Sequence, residues 1–230
     1  MKTLTMTAIA AALLASPALS ATVDVSKQNS SNVFADANGA NKWYVAMSFD
    51  VGNQSFNNVG AGAFRVTTED ENGFLQDLLA FCLQPLEVLT LPKEHKIENP
   101  FIGATSDAVQ ALAANAWDLV TDAKSAGAFQ MAVWEITTET NAYDIQSGTF
   151  KITSNGAGSN GAETLAQSWL DNITNGVWSA GSDDFMILTA DGTQDLLTNT
   201  LAPIPLPASG LLLLGGLAGA GAMAKRRKKS

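Results

Sequence analysis

One cysteine and one histidine are all that the 230 residues contain of the two side chains that most often hold zinc. A lone cysteine cannot close an internal disulfide, and one Cys with one His cannot assemble the usual soft-ligand metal cluster. The glycine-rich SNGAGSNGA, Ser154 to Ala162, is not followed by a Lys-Ser/Thr pair and lacks the strand–turn–helix context that cradles phosphate. It reads as a flexible loop, and neither a metal nor any other cofactor is expected.

Acidic residues are missing from both ends. The first twenty-odd residues, MKTLTMTAIAAALLASPALSA, run from Lys2 through an apolar stretch to Pro17 and the small residues Ala18, Ser20 and Ala21. That order marks a secretory signal peptide, residues 1–21, with cleavage after Ser20 or Ala21; it is too short to span a membrane. At the other end, Pro205 to Ala224 form 20 uncharged residues, about enough helix for a hydrocarbon core of ~30 Å. Lys225, Arg226, Arg227, Lys228 and Lys229 follow at once and should stay cytoplasmic. Both ends therefore place the body, residues 22–202, beyond the inner membrane.

Basic residues are scarce in that body. It keeps Lys27, Lys42, Arg65, Lys93, Lys96, Lys124 and Lys151, seven in all, against 22 acidic residues, a net charge of −15. Nucleic acid and anionic lipid are excluded as expected partners. The densest acidic run, TTEDENG from Thr67 to Gly73, lacks calcium-loop spacing and reads as an exposed turn.

The tail, residues 203–230, resembles the C-terminal sorting signals of Gram-negative bacteria called PEP-CTERM, most closely the VPLPA variant. Pro203, Ile204, Pro205, Leu206, Pro207 and Ala208 supply the proline motif, followed by the Leu/Gly-rich segment and the basic cluster. The resemblance implies a membrane helix before sorting, cleavage by an exosortase-like protease, and delivery to the cell surface or extracellular matrix. A plain single-pass anchor is the alternative reading of the same residues.

Within the body, KWYVAMSFDV (Lys42 to Val51), GAFRVTT (Gly62 to Thr68) and LLAFCL (Leu78 to Leu83) read as strands, and PLEVLTLP as a short extended piece between Pro85 and Pro92. Two helices should follow, AVQALAANAWDLV behind a Ser106-Asp107 cap and AKSAGAFQMAVWEITTE from Asp122. Next come a strand (TFKIT), a helix from Ala162 to Ile173, and a terminal strand pair turned by Asp191-Gly192. The expected fold is α+β: a strand-rich N-terminal half, sheet or partial barrel, packed with two or three helices, plus the C-terminal transmembrane helix. Trp43, Trp117, Trp169 and Trp178 have no ligand-platform spacing and are expected in the core.

In the second helix Phe129, Ala132, Val133 and Ile136 form a core-facing stripe, with Gln130 and Trp134 one turn apart on its border. A carboxamide there must find hydrogen-bond partners or do chemistry. Cys82 in AFCLQP is likewise conspicuous, because an exposed thiol is a liability after export. Burial as a small hydrophobe accounts for it in the simplest way.

Phe81-Cys82-Leu83 taken with Phe129-Gln130-Met131-Ala132-Val133-Trp134 is similar to the bacterial surface thioester domains, where an aromatic-Cys-apolar motif precedes an apolar-Gln-x-Ala-apolar-Trp helix. The resemblance implies that Cys82 is the thioester sulfur, Gln130 the acyl donor, and Phe81 and Trp134 a shelter from water. A partner's surface amine or hydroxyl would then take the acyl group, in a reactive binder rather than a turnover enzyme. Two other classes stay open. One is a non-covalent structural or adhesive matrix protein with a buried, unreacted Cys82. The other is a small Cys hydrolase using His95, although LPKEHKIE reads as a charged loop with a solvated histidine.

Overall fold

Alternation of apolar and polar residues over six to eight positions is the pattern of a half-buried strand, and it recurs through this chain. The computed structural model describes residues 21–98, 104–139, 142–155, 161–181 and 185–199. The proposed sorting segment, with Pro203 to Ala208 and the basic tail, and residues 1–20 of the signal peptide lie outside the described residues, as does most of the glycine-rich loop. No helix among the described residues is long and apolar enough to cross a membrane.

Among the described residues, nine strands and three α-helices make the α+β fold. The strands are β1 (Thr22–Lys27), β2 (Tyr44–Val51), β3 (Gln54–Gly62), β4 (Phe64–Glu69), β5 (Leu75–Cys82), β6 (Lys93–Glu98), β7 (Phe150–Asn155), β8 (Phe185–Thr189) and β9 (Leu196–Asn199). Six of them close an antiparallel barrel in the order β1-β4-β5-β9-β8-β6, and the other three form a separate sheet ordered β3-β2-β7. The helices are α1 (Ala104–Ala116), α2 (Ala123–Thr138) and α3 (Ala162–Thr174).

Several expectations are corrected. PLEVLTLP is not a strand but a turn and coil, and the strand lies one step later, in β6. His95 is therefore no solvated loop residue: it sits on β6, fully buried, opposite Val23 of β1. The reason is the pleat, which turns His95 and Ile97 inward and leaves Glu94, Lys96 and Glu98 outward. Helix α1 starts at Ala104, so Asp107 lies inside its first turn rather than ahead of it. The strands β1 and β3 were not anticipated.

Helix α2 is the centre of the molecule. Asp122 caps it, accepting from the Ser125 N–H at 2.7 Å, while the Ser125 hydroxyl receives the Asp122 N–H at 3.0 Å, a reciprocal capping box. Every residue from Ser125 to Ile136 is buried. The expected stripe of Phe129, Ala132, Val133 and Ile136 is buried, but it has no polar border: α2 is enclosed all round, by α1, α3, β2, β3, β5 and β7. Its Gly127 is forced by close approach, since a Cβ there would stand 2.5 Å from Val45 Cγ2 and 3.4 Å from the Ala61 carbonyl. Alanine would gain about 1 kcal/mol of helix propensity, but overpacking against a stiff valine costs typically 1–3 kcal/mol. Gly127→Ala is accordingly expected to lower the urea midpoint, and a higher midpoint would show that Val45 yields freely.

Aromatic rings join the layers. Phe129 of α2 lies 4.4 Å from Phe81 of β5 and 5.7 Å from Trp117, while Trp134 lies 5.1 Å from Phe49 and 6.2 Å from Phe150 of the three-stranded sheet. Trp43, Trp117, Trp169 and Trp178 all join this core as expected, and Trp43 also carries the Arg65 guanidinium 4.4 Å above its ring. Among the described residues one ion pair is formed, Lys151 to Asp50 at 3.5 Å.

Candidate functional site

Cys82 is the last residue of β5, in register with Leu196 of β9, and the local ladder leaves its N–H and C=O without a strand to bond on the other side. Alternate residues of an antiparallel strand turn their N–H and C=O to opposite neighbours. Leu83 N–H bonds to the Asp195 carbonyl on the β9 side, so the Cys82 groups face the β4 side. There the β4–β5 pairing has already ended at Phe64 and Ala80.

The Gln130 carboxamide fills that gap. Its Oε1 accepts the Cys82 N–H at 2.9 Å, and its Nε2 donates to the Cys82 carbonyl at 2.7 Å. Both residues are buried, Gln130 with 1% of its surface exposed and Cys82 with none. The expected pair, distant in sequence, is brought together. Gln130 is not on the border of the core but inside it, where glutamine is a side chain that supplies a donor and an acceptor at this reach.

The sulfur lies in a tight turn, where the Cys82 thiol donates to the Gln84 carbonyl at 3.1 Å and accepts the Gln84 N–H at 3.3 Å. Gln84, which the sequence reading passed over, is held in turn by Asp195. Its Nε2 donates to Asp195 Oδ2 and its Oε1 accepts the Asp195 N–H, both at 2.9 Å. The only sequence signal was its place two residues past Cys82 and before Pro85. Gln84 and Asp195 also line a groove of about 680 Å³ with Glu87, Glu94, Glu98 and Asp191, so the turn that holds the sulfur forms part of an open, acidic wall.

Burial pushes the Cys82 thiol up to about 12, against a smaller opposing effect of the Trp134 indole and the Gln84 backbone. Trp134 is 3% exposed, and its Nε1 is buried without a hydrogen-bond partner. Phe81 is fully buried, but the pleat turns it to the face opposite Cys82, against Phe129 and Trp117. It fastens the strand to the helices instead of covering the sulfur.

His95 makes no hydrogen bond to Cys82 among the described residues. Its Nδ1 pairs with the Lys93 carbonyl at 2.9 Å and its Nε2 is buried without a partner. Burial holds its pKa below the usual histidine value. No group of metal-ligating side chains occurs among the described residues.

One turn beyond the site, Glu135 is fully buried; its Oε1 accepts the Asp144 N–H at 2.7 Å and its Oε2 has no partner. Burial raises its pKa to about 8. A carboxyl raised in the fold binds its proton there while the unfolded chain has already lost it, so stability falls as pH rises from about 4.5 towards about 8. His95 acts in the opposite sense, costing stability as pH drops below its unfolded value. The comparison with Glu135→Gln isolates the carboxyl: the variant should lose a decline on the order of 3 kcal/mol between pH 5 and 8, read from urea unfolding at each pH. Equal slopes for both proteins would mean that Glu135 is ionised in the fold.

The chain matches no protein-family model, no curated protein and no solved structure.

Proposed function

We propose that the body is an exported surface or matrix protein that attaches covalently, once, through a thioester between the Cys82 sulfur and the Gln130 acyl carbon. The observation that supports this most is the double hydrogen bond between the Gln130 carboxamide and the Cys82 backbone. It presses the carboxamide carbon against the residue that carries the sulfur, and the Cys82 N–H is aimed at the oxygen that would become negative as the sulfur attacks.

The atoms balance without a cofactor. The thiol adds to the Gln130 amide carbon, the C–N bond breaks, and ammonia leaves with the thiol proton. A partner amine then takes the acyl group as an amide, or a hydroxyl takes it as an ester, and the C–S bond opens to return the thiol. A thiol at about 12 is ionised in only roughly one molecule in 10⁵ at pH 7. Effective molarities of about 10⁵–10⁸ M for well-oriented neighbours are large enough to offset that fraction in a reaction that need happen only once. Sorting by an exosortase-like protease, through the proline motif and basic tail, belongs to the same proposal.

A second reading is favoured by the same hydrogen bonds. Gln130 completes the backbone pairing of β5 where β4 stops, which suffices as a structural role, and a raised thiol pKa suits an inert buried cysteine. The protein would then be a non-covalent matrix component. A tagged primary amine separates the two: it should label Gln130 in the wild type and not in Cys82→Ala, whereas the structural reading requires no labelling of either.

A further inference from the structure

We infer that the indole N–H of Trp134 becomes a hydrogen-bond donor to the Cys82 sulfur as charge develops there, holding the thiolate as it leaves when the thioester opens; the inference rests on the thioester reading above. The sequence resemblance assigns Trp134 only a covering role, for which the ring would suffice and the N–H would be irrelevant.

Three observations single out the N–H. Trp134 is one helical turn beyond Gln130, on the same face of α2, so its side chain reaches the same end of β5. Its ring packs against Phe49 at 5.1 Å and Phe150 at 6.2 Å, which holds the indole in place beside the site. The Nε1 is buried with no hydrogen-bond partner, while the indole acts on the Cys82 sulfur in the sense that favours the thiolate. A buried donor left without a partner costs about 1–3 kcal/mol. A neutral thiol or thioester sulfur is a weak acceptor that relieves little of that cost, whereas a thiolate accepts a stronger, charge-assisted bond. The donor is therefore underused at rest and fully used as charge develops, which is the condition for lowering a barrier.

In the step itself the amine nitrogen bonds to the Gln130 carbonyl carbon, and the oxygen charge is met by the Cys82 N–H. The C–S bond then breaks with its electron pair on sulfur, facing the Trp134 N–H, and the proton lost by the amine ends on that sulfur. The products are an amide and a free thiol.

Two measurements on the full chain test this. In Trp134→Phe, which keeps an aromatic ring and deletes the donor, methylamine uptake at Gln130 should slow by about tenfold or more. Separately, the indole ¹⁵N–¹H resonance of Trp134, assigned by its loss in Trp134→Phe, should shift in Cys82→Ala more than the resonances of the other four tryptophans. Wild-type uptake in Trp134→Phe, or an indole resonance indifferent to Cys82→Ala, overturns the inference while a thioester in the wild type still stands. A wild type with no thioester overturns the catalytic role and the thioester reading together, even if the resonance shifts.

Discussion

Purified without amines, the protein is expected to weigh less than its processed sequence by one ammonia, and methylamine should add its own mass on Gln130 while exposing one alkylatable thiol. The effect is all-or-none for each molecule, which makes it the largest change anticipated here. It follows from confinement: Cys82 has none of its surface exposed and Gln130 1%, so an acyl–sulfur bond between them would be shielded from bulk water. Forming the bond also has a structural cost, because ammonia leaves with the Nε2 that donates to the Cys82 carbonyl. That carbonyl then loses a buried donor, which leaves the product strained towards reopening by an amine. Intact mass spectrometry decides the matter. A full-mass protein whose Cys82 alkylates only after denaturation would leave the structural reading in possession.

The second large effect is on stability. Gln130→Met keeps nearly the same length and volume but removes both hydrogen bonds, so the Cys82 N–H and carbonyl are stranded in a dry interior. Each unsatisfied buried group costs about 1–3 kcal/mol, and the variant should lose roughly 2–5 kcal/mol in urea unfolding. That is a large part of the 5–15 kcal/mol typical of a domain. Because a wild type carrying a thioester is cross-linked, the comparison is made with both proteins in the Cys82→Ala background. A loss below about 0.5 kcal/mol would mean that the end of β5 re-pairs without the glutamine.

What could be read from the sequence divides along physical lines. Helix α2 was legible because Asp122 and Ser125 spell a cap and a long apolar run follows; β2, β4 and β5 were legible from β-branched and aromatic alternation. Strand β6 was not. Its inward residues are His95 and Ile97, and a histidine facing a barrel interior reads as polar in any pattern of alternation. Strand β3, QSFNNVGAG, has too few apolar residues to declare a face, and β1 abuts a segment set aside as a leader. Barrel closure depends on β9 joining β5 and β8 joining β6, pairings between distant parts of the chain that local periodicity does not encode. The Cys82–Gln130 proximity came from paired motifs, not from period; the period placed Gln130 on a border because it could not foresee α2 being walled in on every side. Gln84 carried little signal beyond its nearness to Cys82, since its role arises only when Asp195 arrives from the other end of the body.

Closing the barrel has a further outcome for a chain that would be displayed densely. A ring of strands presents no free ladder, so neighbouring molecules cannot extend it by adding a strand of their own. The open ladders lie instead at the rims of the small β3-β2-β7 sheet, where β3 carries adjacent asparagines, one of them, Asn58, with a left-handed backbone at φ 55°. Crowded molecules that add strands to one another would therefore have to do so at those two rims, of which the β3 rim is interrupted by that left-handed residue.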